Sequence, residues 1–387
     1  MQKILFFVFA FLFKVIWSNL ANGFTVEKPL FEDDWTKYDS TTTSFSAQQS
    51  YYAKRPGAAT NTHSCDQIRN QVPRHLTFIT RYRFYQKYTE AYGIPVVSSG
   101  SVSDKALRRA CHITRFLFAD RYDLRNSFYK NEGRFAVIAI REQTTTIPEF
   151  SHLPAWWNQR ARGLGGVLGR PISCGGEENV LCLRQDRYYG DDIFFHEAAH
   201  GVAEVGMAGG LQSMYQRLKG LYNSARRSGK WRNTYAMTDS REYFAEGLQS
   251  YFNNHIEGPN PPNGVHGPIN TRAELRSYDP GLYNLIKELY PCGNTYHWCK
   301  ENAAGSNLRM NCDGTGPIIT QAPQTKAPTD APKPQTTEDP IPPIPDTTQP
   351  PPSCKDHNRY CAAWSKYGYC DSNGYVKKYC KLSCNTC

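Results

Sequence analysis

Five consecutive residues, His196-Glu197-Ala198-Ala199-His200, combine two imidazoles and a carboxylate at helical spacing. Residues four apart on an α-helix are separated by about 6 Å of rise and about 40° of rotation, so both imidazoles project from one face. Two neutral imidazole nitrogens can hold a zinc ion that keeps one position open for water. Glu197, beside the first imidazole, could take a proton from that water. The pattern therefore predicts a hydrolytic zinc site.

The alternative is a buried amphipathic helix whose two histidines are satisfied by ordinary hydrogen bonds. A pentapeptide of this kind occurs by chance in roughly one chain of this size in a hundred. Asp191 or Asp192 is the expected N-cap of the helix in either case. A third metal ligand elsewhere in the chain would favour the zinc site over the alternative.

Two glutamates supply candidates for that ligand. Glu242 and Glu246 lie four residues apart in a helix predicted to begin near Ser240. Two carboxylates on one face of an aromatic-rich helix are costly to bury unless positive charge meets them. One could bind the metal while the other accepts the N–H of a ligating imidazole. Spacing does not rank the two, and Asp239 with Glu242 could instead form a capping box.

Apolar periodicity indicates the elements that must position these residues. Two amphipathic helices are predicted first, then two strands, then three helices, an order that favours an α+β fold over a doubly wound sheet. The predicted helices are 71–93, 104–123, the histidine helix, 211–228 and the helix from Ser240; the predicted strands are 134–140 and 178–184.

The chain of 387 residues divides into segments of different composition. Residues 1–23 resemble a signal peptide, because the apolar run 4–13 is shorter than the about 20 residues that a membrane helix needs. Residues 24–62 are polar and predict a flexible lead-in or a propeptide. Residues 63–312 form the predicted globular domain. Residues 313–353 are rich in Pro and Thr, which predicts an extended linker before a Cys-rich segment at 354–387.

Thirteen cysteines indicate an oxidising compartment, which agrees with a secreted, extracellular protein. Seven of them lie between Cys65 and Cys312, so at least one is unpaired unless it binds something or bonds another chain; their pairing is left open. The formal net charge is +10, yet no cluster of Lys and Arg resembles a nucleic-acid footprint. We therefore expect no nucleic-acid partner and no membrane span.

The Cys-rich segment 354–387 resembles the ShKT module, a sea-anemone-toxin-like domain, in its cysteine gaps of 6, 8, 9, 3 and 2. Fifteen pairings of six cysteines are possible by spacing alone. The resemblance implies the pairs Cys354–Cys387, Cys361–Cys380 and Cys370–Cys384. Some relatives block potassium channels with a Lys-Tyr pair, but Gly374 stands at the lysine position here. A small disulfide-rich domain that docks on an unknown partner is therefore expected.

The globular domain resembles the anthrax-lethal-factor-like zinc peptidases, a family that includes bacterial Pro-Pro endopeptidases. The sequence contains the motif "HEAAH" at 196–200 and the motif "EYFAE" at 242–246. Glu242 lies 46 positions after His196, and Tyr235 lies seven positions before Glu242. The segments "TTIPEF" (145–150), "RGLGG" (162–166) and "EENVLC" (177–182) are also similar to secreted relatives. The bacterial members lack the disulfides, the linker and the ShKT segment. The residues that set their substrate preference have no match in this sequence, so a preference for Pro-Pro bonds is not carried over.

This resemblance implies a zincin-like fold of the gluzincin kind with one Zn²⁺ per chain. It assigns metal ligation to His196, His200 and Glu242, general-base catalysis to Glu197, an oxyanion hydrogen bond to Tyr235 and support of the ligands to Glu246. The expected function is a secreted zinc metalloendopeptidase acting on a peptide or protein substrate. A strand near 179–183 could pair with that substrate at the sheet edge. The alternatives are a non-catalytic interaction protein, a channel toxin and a latent zymogen.

Overall fold

The computed structural model describes residues 55–300, 302–303, 305 and 307–314. All of these belong to the first of two units into which the chain divides, Met1–Ile319 and Thr320–Cys387. The signal peptide, most of the lead-in and most of the linker lie outside the described residues. The three disulfides expected in the ShKT segment, Cys354–Cys387, Cys361–Cys380 and Cys370–Cys384, also lie outside them.

The described part of the chain is a mixed α+β fold around one five-stranded sheet, as predicted. Strand order is β1-β2-β3-β5-β4, with β2, β3 and β5 parallel and both outer strands antiparallel to their neighbours. The strands are β1 Lys87–Ala91, β2 Ile94–Ser98, β3 Arg134–Ile138, β4 Gly163–Leu164 and β5 Ile172–Gly176.

The central strand β3 confirms the strand predicted at 134–140 and explains its continuous apolar sequence. Side chains of a strand alternate between the two faces of a sheet. Phe135 and Val137 face one hydrophobic core, which contains the helices described below, while Ala136 and Ile138 face a smaller core on the other side. Because both faces are covered, every residue of β3 is buried.

Eleven helices surround the sheet in the described part of the chain. They are α1 Thr77–Thr80, α2 Asp104–Leu117, α3 Tyr122–Lys130, α4 Trp157–Arg160, α5 Glu177–Val180, α6 Ile193–Gly201, α7 Ala208–Gly210, α8 Gln212–Arg227, α9 Ser240–Phe252, α10 Arg272–Tyr278 and α11 Pro280–Leu289. A π-helical turn, Val202–Met207, joins α6 to α7. The helices predicted at 104–123, at 211–228 and from Ser240 are confirmed in α2, α8 and α9.

The helix predicted over 71–93 is wrong for most of its length. Only α1 is helical there, and β1 occupies the C-terminal part. Tyr92 and Gly93 both have positive φ, at 61° and 80°, which is the conformation of a tight turn between antiparallel strands. Pairing of β1 with the apolar strand β2 therefore overrides the helical spacing of the sequence.

The strand predicted at 178–184 is also wrong. The segment begins with the helical turn α5, and Asn179 within it uses its side chain to hold the start of α6. The Asn179 amide donates to the backbone oxygen of Asp191 at 2.8 Å and its oxygen accepts from the Phe194 N–H at 3.0 Å. These long-range bonds are invisible in a local apolar pattern.

The end of the lead-in segment is packed onto the domain, so the boundary expected at residue 62 is not a structural one. Arg55 is buried, with its guanidinium donating to the Gly93 carbonyl at 2.7 Å. The Thr60 N–H donates to the Tyr92 carbonyl at 3.0 Å. Residues 55–62 therefore belong to the folded unit.

Three disulfides join Cys65 to Cys111, Cys182 to Cys299 and Cys292 to Cys312. Cys174 on β5 is the remaining cysteine of the described chain, and its thiol is free and buried. The odd cysteine expected from the sequence is therefore a core residue. Among the described residues, no helix combines the length and the apolar character that crossing a membrane requires.

Candidate metal centre

Helix α6 carries the two histidines and begins where the sequence predicts. Its N-cap is Asp192, whose carboxylate accepts the Phe195 N–H at 3.1 Å and so satisfies one of the unpaired donors of the first turn. The helix lies against β5 on one side and α9 on the other. His196 and His200 therefore project toward α9 from one face of α6.

Helix α9 brings Glu242 to these histidines. The carboxylate of its N-cap, Asp239, accepts the N–H groups of Arg241 and Glu242 at 2.7 Å and 3.1 Å. The alternative capping box with Glu242 is not formed, because the Glu242 side chain turns to the histidines. Its Oε2 lies 2.9 Å from His196 Nε2 and 3.3 Å from His200 Nε2. The ligand atoms of all three residues lie within 4.8 Å of one another.

The charges of this cluster fit a divalent cation. Burial lowers the pKa of His196, but the hydrogen bond and charge of Glu242, with Glu197 and Glu246, outweigh burial and raise that pKa well above its usual value. The Glu242 pKa is held well below its usual value by His200 and His196, against the effect of burial. Positive charge is thus strongly favoured beside these carboxylates. Two imidazole nitrogens and one carboxylate oxygen are also a set of ligands that zinc commonly binds.

The group that orients His196 is Gln249, a residue that is not among those predicted from the sequence. Gln249 Oε1 lies 2.8 Å from His196 Nδ1, whereas Glu246 Oε1 lies 3.8 Å away. Gln249 stands two turns of α9 beyond Glu242, so helical spacing was the signal that could have found it. Glu246 instead lies with its Oε2 2.9 Å from His255 Nε2. Gln249, and not Glu246, is therefore the hydrogen-bond partner of His196 Nδ1 in the structure.

Glu197 lies beside the cluster without joining it. Its Oε2 is 3.9 Å from His200 Nε2. Burial raises the pKa of Glu197, although His200 and His196 act in the opposite direction. A carboxylate with a raised pKa, next to three groups that could hold a metal, has the position and the proton affinity of a general base.

The glycines of "RGLGG" explain how β4 approaches α6 so closely. A Cβ at Gly163 would lie 2.8 Å from Glu197 Cγ, and a Cβ at Gly165 would overlap the His200 side chain. The strand and the residues after it therefore pass directly over the histidine face of the helix. The outer strand beside the site is thus β4, not the strand expected at 179–183.

Tyr235 is in place to act as a hydrogen-bond donor. It begins a short 3-10 helix, Tyr235–Met237, and its N–H donates to the Val265 carbonyl at 2.7 Å. Burial and the charge of Glu242 raise the pKa of its hydroxyl, which therefore keeps its proton, and Arg160 hydrogen-bonds that hydroxyl. Arg160 was not identified from the sequence, because it lies far from both motifs along the chain.

A pocket of about 550 Å³, including space open to solvent, joins these groups. Glu197, His200, Glu242 and Tyr235 line it on one side, and residues 163–167 line it on the other. Its remaining lining residues include Trp157, Arg160, Arg170 and Arg241. The cluster is therefore accessible to a substrate at the edge of the sheet.

Comparison with known proteins identifies one part of the chain. Residues 353–387 match the family model described as ShK domain-like. No curated protein and no solved structure gives a significant match to the chain. The disulfides and the ShK domain-like segment are consistent with an extracellular protein, and the chain carries, at residues 353–387, an ShK-like domain.

Proposed function

We propose that this protein is a secreted zinc metalloendopeptidase with a zincin-like domain of the lethal-factor-like kind. The observation that carries the proposal is the convergence of His196 Nε2 and His200 Nε2 on Glu242 Oε2 at 2.9 Å and 3.3 Å. These atoms come from two helices that are distant in sequence. Burial of such a cluster beside a further carboxylate, Glu197, is costly without a cation.

The catalytic roles follow from the positions of the side chains. A zinc ion held by His196, His200 and Glu242 would supply Lewis-acid polarisation of the scissile carbonyl and would lower the pKa of the attacking water. Glu197 takes the proton from that water and delivers it to the leaving amine. Since burial raises the Glu197 pKa, its proton affinity is higher than that of a solvated carboxylate.

Tyr235 would stabilise the oxyanion that develops on the carbonyl oxygen when water attacks the carbonyl carbon. Its hydroxyl stays protonated and lines the same pocket as Glu197 and Glu242. Arg160 contacts that hydroxyl, so it orients the donor and places positive charge close to the developing negative charge. Arg160 is therefore a positioning residue for Tyr235.

The substrate would be an extended peptide lying along β4. This strand is at one end of the sheet order, and its residues line the pocket. An added strand would gain main-chain hydrogen bonds and bring a scissile bond over the histidines. Unfolded segments and loops of proteins are therefore the expected substrates.

The decisive experiment replaces the proton acceptor. Glu197→Gln should lower cleavage of a peptide library by at least about 10²-fold, since general-base catalysis contributes 10²–10⁴-fold. Its zinc content should equal that of the parent protein, because Glu197 is not among the three clustered ligands. Glu288→Gln, on the exposed surface of α11, is the matched control and should cleave normally. Equal cleavage by Glu197→Gln and the parent would contradict the mechanism.

A second candidate function is supported by the ShK domain-like match at 353–387. The protein could be a non-catalytic interaction protein whose ShK-like domain binds a partner. Zinc analysis together with the library digest separates the two, because a scaffold without catalysis would give no cleavage even when loaded with zinc.

A further inference from the structure

A second group of metal-ligand side chains lies outside the candidate active site. Asp191 directly precedes the N-cap of α6, His255 follows the C-terminal end of α9, and His266 lies in the connection 253–271 between α9 and α10. One ligand atom from each lies within 4.8 Å of the other two. We propose that these residues form a structural zinc site, an inference that goes beyond the proposed function and does not depend on it.

Asp191 and His255 are buried, and His266 is half-buried. The His255 side chain is fully buried, and its Nδ1 lies 3.4 Å from Asp191 Oδ1. The rings of His255 and His266 are 5.2 Å apart at an angle of 66°.

One polar atom of this group has no partner without a cation. His266 Nδ1 is inaccessible to solvent and makes no hydrogen bond within the described part of the chain. Buried polar atoms are normally paired, so an orphaned imidazole nitrogen beside a histidine and a carboxylate indicates a ligand. A metal ion would satisfy it.

The surrounding groups support the ligands as they do in known metal sites. His255 Nε2 lies 2.9 Å from Glu246 Oε2, and the Gln249 amide donates to Asp191 Oδ1 at 2.6 Å. A ligating histidine commonly meets a carboxylate at its other nitrogen, which fixes the ring orientation. Glu246 would serve His255 in this way.

An imidazolium bridge is the competing explanation. A protonated His255 between Asp191 and Glu246 would balance charge without metal. It gives no role to His266, whose Nδ1 remains unpaired. A divalent cation balances the same two carboxylates and also engages the third side chain.

Zinc is the expected ion because two imidazoles and one carboxylate match its donor preference. Calcium and magnesium prefer sets of oxygen ligands. Asp191 and His255 are buried, and none of the three ligands lines the pocket of the candidate active site. A structural role is therefore expected, not a catalytic one.

The site would fix the connection 253–271 against the start of α6 and against the segment that begins at Tyr235. Asp191 adjoins the cap of the histidine helix, and His266 adjoins Val265, whose carbonyl accepts the Tyr235 N–H at 2.7 Å. A connection without regular structure gains order from such a clip. Zinc at this site would therefore fix the position of Tyr235 relative to the start of α6.

Metal stoichiometry of the full-length protein tests the proposal. After zinc loading and dialysis, we expect two zinc ions per chain in the parent and one in His266→Ala, measured by native mass spectrometry and elemental analysis. Glu242→Gln should also hold one, and the double variant none. His297→Ala, which replaces another half-buried histidine, is the control and should hold two.

Proteolysis provides a readout that needs no histidine variant. In Glu242→Gln, which retains only the second zinc, a chelator should accelerate protease cleavage within 253–271 by about tenfold or more, because zinc opposes local opening. The proposal would be overturned if the parent binds one zinc ion and His266→Ala still binds that ion. It would also be overturned if the chelator does not change the rate of protease cleavage in Glu242→Gln. If Glu242→Gln keeps both ions, the proposed active site fails while this inference stands.

Discussion

The two clusters, His196/His200/Glu242 and Asp191/His255/His266, differ in how the chain assembles them. In the first, the two histidines lie one turn apart on α6, and Glu242 is fixed by the capped start of α9. In the second, each ligand comes from a different segment at or beyond a helix end. Helical spacing reveals the first in the sequence, whereas only long-range packing creates the second.

The clusters also differ in whether their residues line the pocket. His200 and Glu242 line a pocket with Glu197 and Tyr235, whereas no residue of the second cluster lines it. An open coordination position is needed for catalysis, and a closed site is suited to structure. Substitutions at Tyr235, Gln249 and Asp192, which lie between or beside the two clusters, would test this difference.

The largest expected effect is at Tyr235, which contacts both regions. Its side chain lines the pocket beside the first cluster, and its backbone N–H donates to the carbonyl of Val265, the neighbour of His266 in the second cluster. Tyr235→Phe should lower kcat by about 10²–10³-fold with zinc content unchanged, since it removes one oxyanion donor. Steady-state kinetics on a cleaved library peptide would measure this. Tyr222→Phe, which loses a hydroxyl bonded to the Met237 carbonyl outside the pocket, is the control. An unaltered rate for Tyr235→Phe would remove this residue from the mechanism.

Gln249 is the side chain that joins the clusters, through His196 on one side and Asp191 on the other. Gln249→Leu should weaken zinc binding by about 10–100-fold, the usual cost of losing an outer partner of a ligand. Competition with a chromogenic chelator, in Glu242→Gln and His266→Ala backgrounds, would measure each site separately. Ser250→Ala is the neighbouring control. If Glu246→Gln weakens the His196 site and Gln249→Leu does not, the original assignment to Glu246 is correct.

The smallest expected effect is at Asp192, between the two clusters. Asp192→Ala removes the cap of α6 and the oxygen that accepts the hydrogen bond of the buried Tyr296 hydroxyl, so it should cost at least about 1 kcal/mol of unfolding free energy. Asp192→Asn keeps a capping oxygen and should cost less. Urea unfolding would compare them with the parent protein. A cost that vanishes when zinc is present would show that the second cluster, and not the cap, holds the start of α6.

Local patterns predicted the helices that carry the residues of the candidate metal centre. The spacing of His196 and His200 and the cap at Asp192 depend only on neighbours, so the helix was found with its correct start. Strand β3 was found because burial on both faces leaves a continuous apolar run. The region 71–93 was missed, since its β1 depends on pairing with β2 rather than on its own spacing.

The sequence by itself determined the two imidazoles on one helical face, the glutamates one turn apart on another helix and the surplus cysteine. Helical geometry and an odd count require no knowledge of distant contacts. Tertiary structure alone decided that Gln249 meets His196, that β4 lies over the site and that Asp191, His255 and His266 meet. The physical reason is that these contacts depend on how helices and loops pack, which local periodicity does not encode.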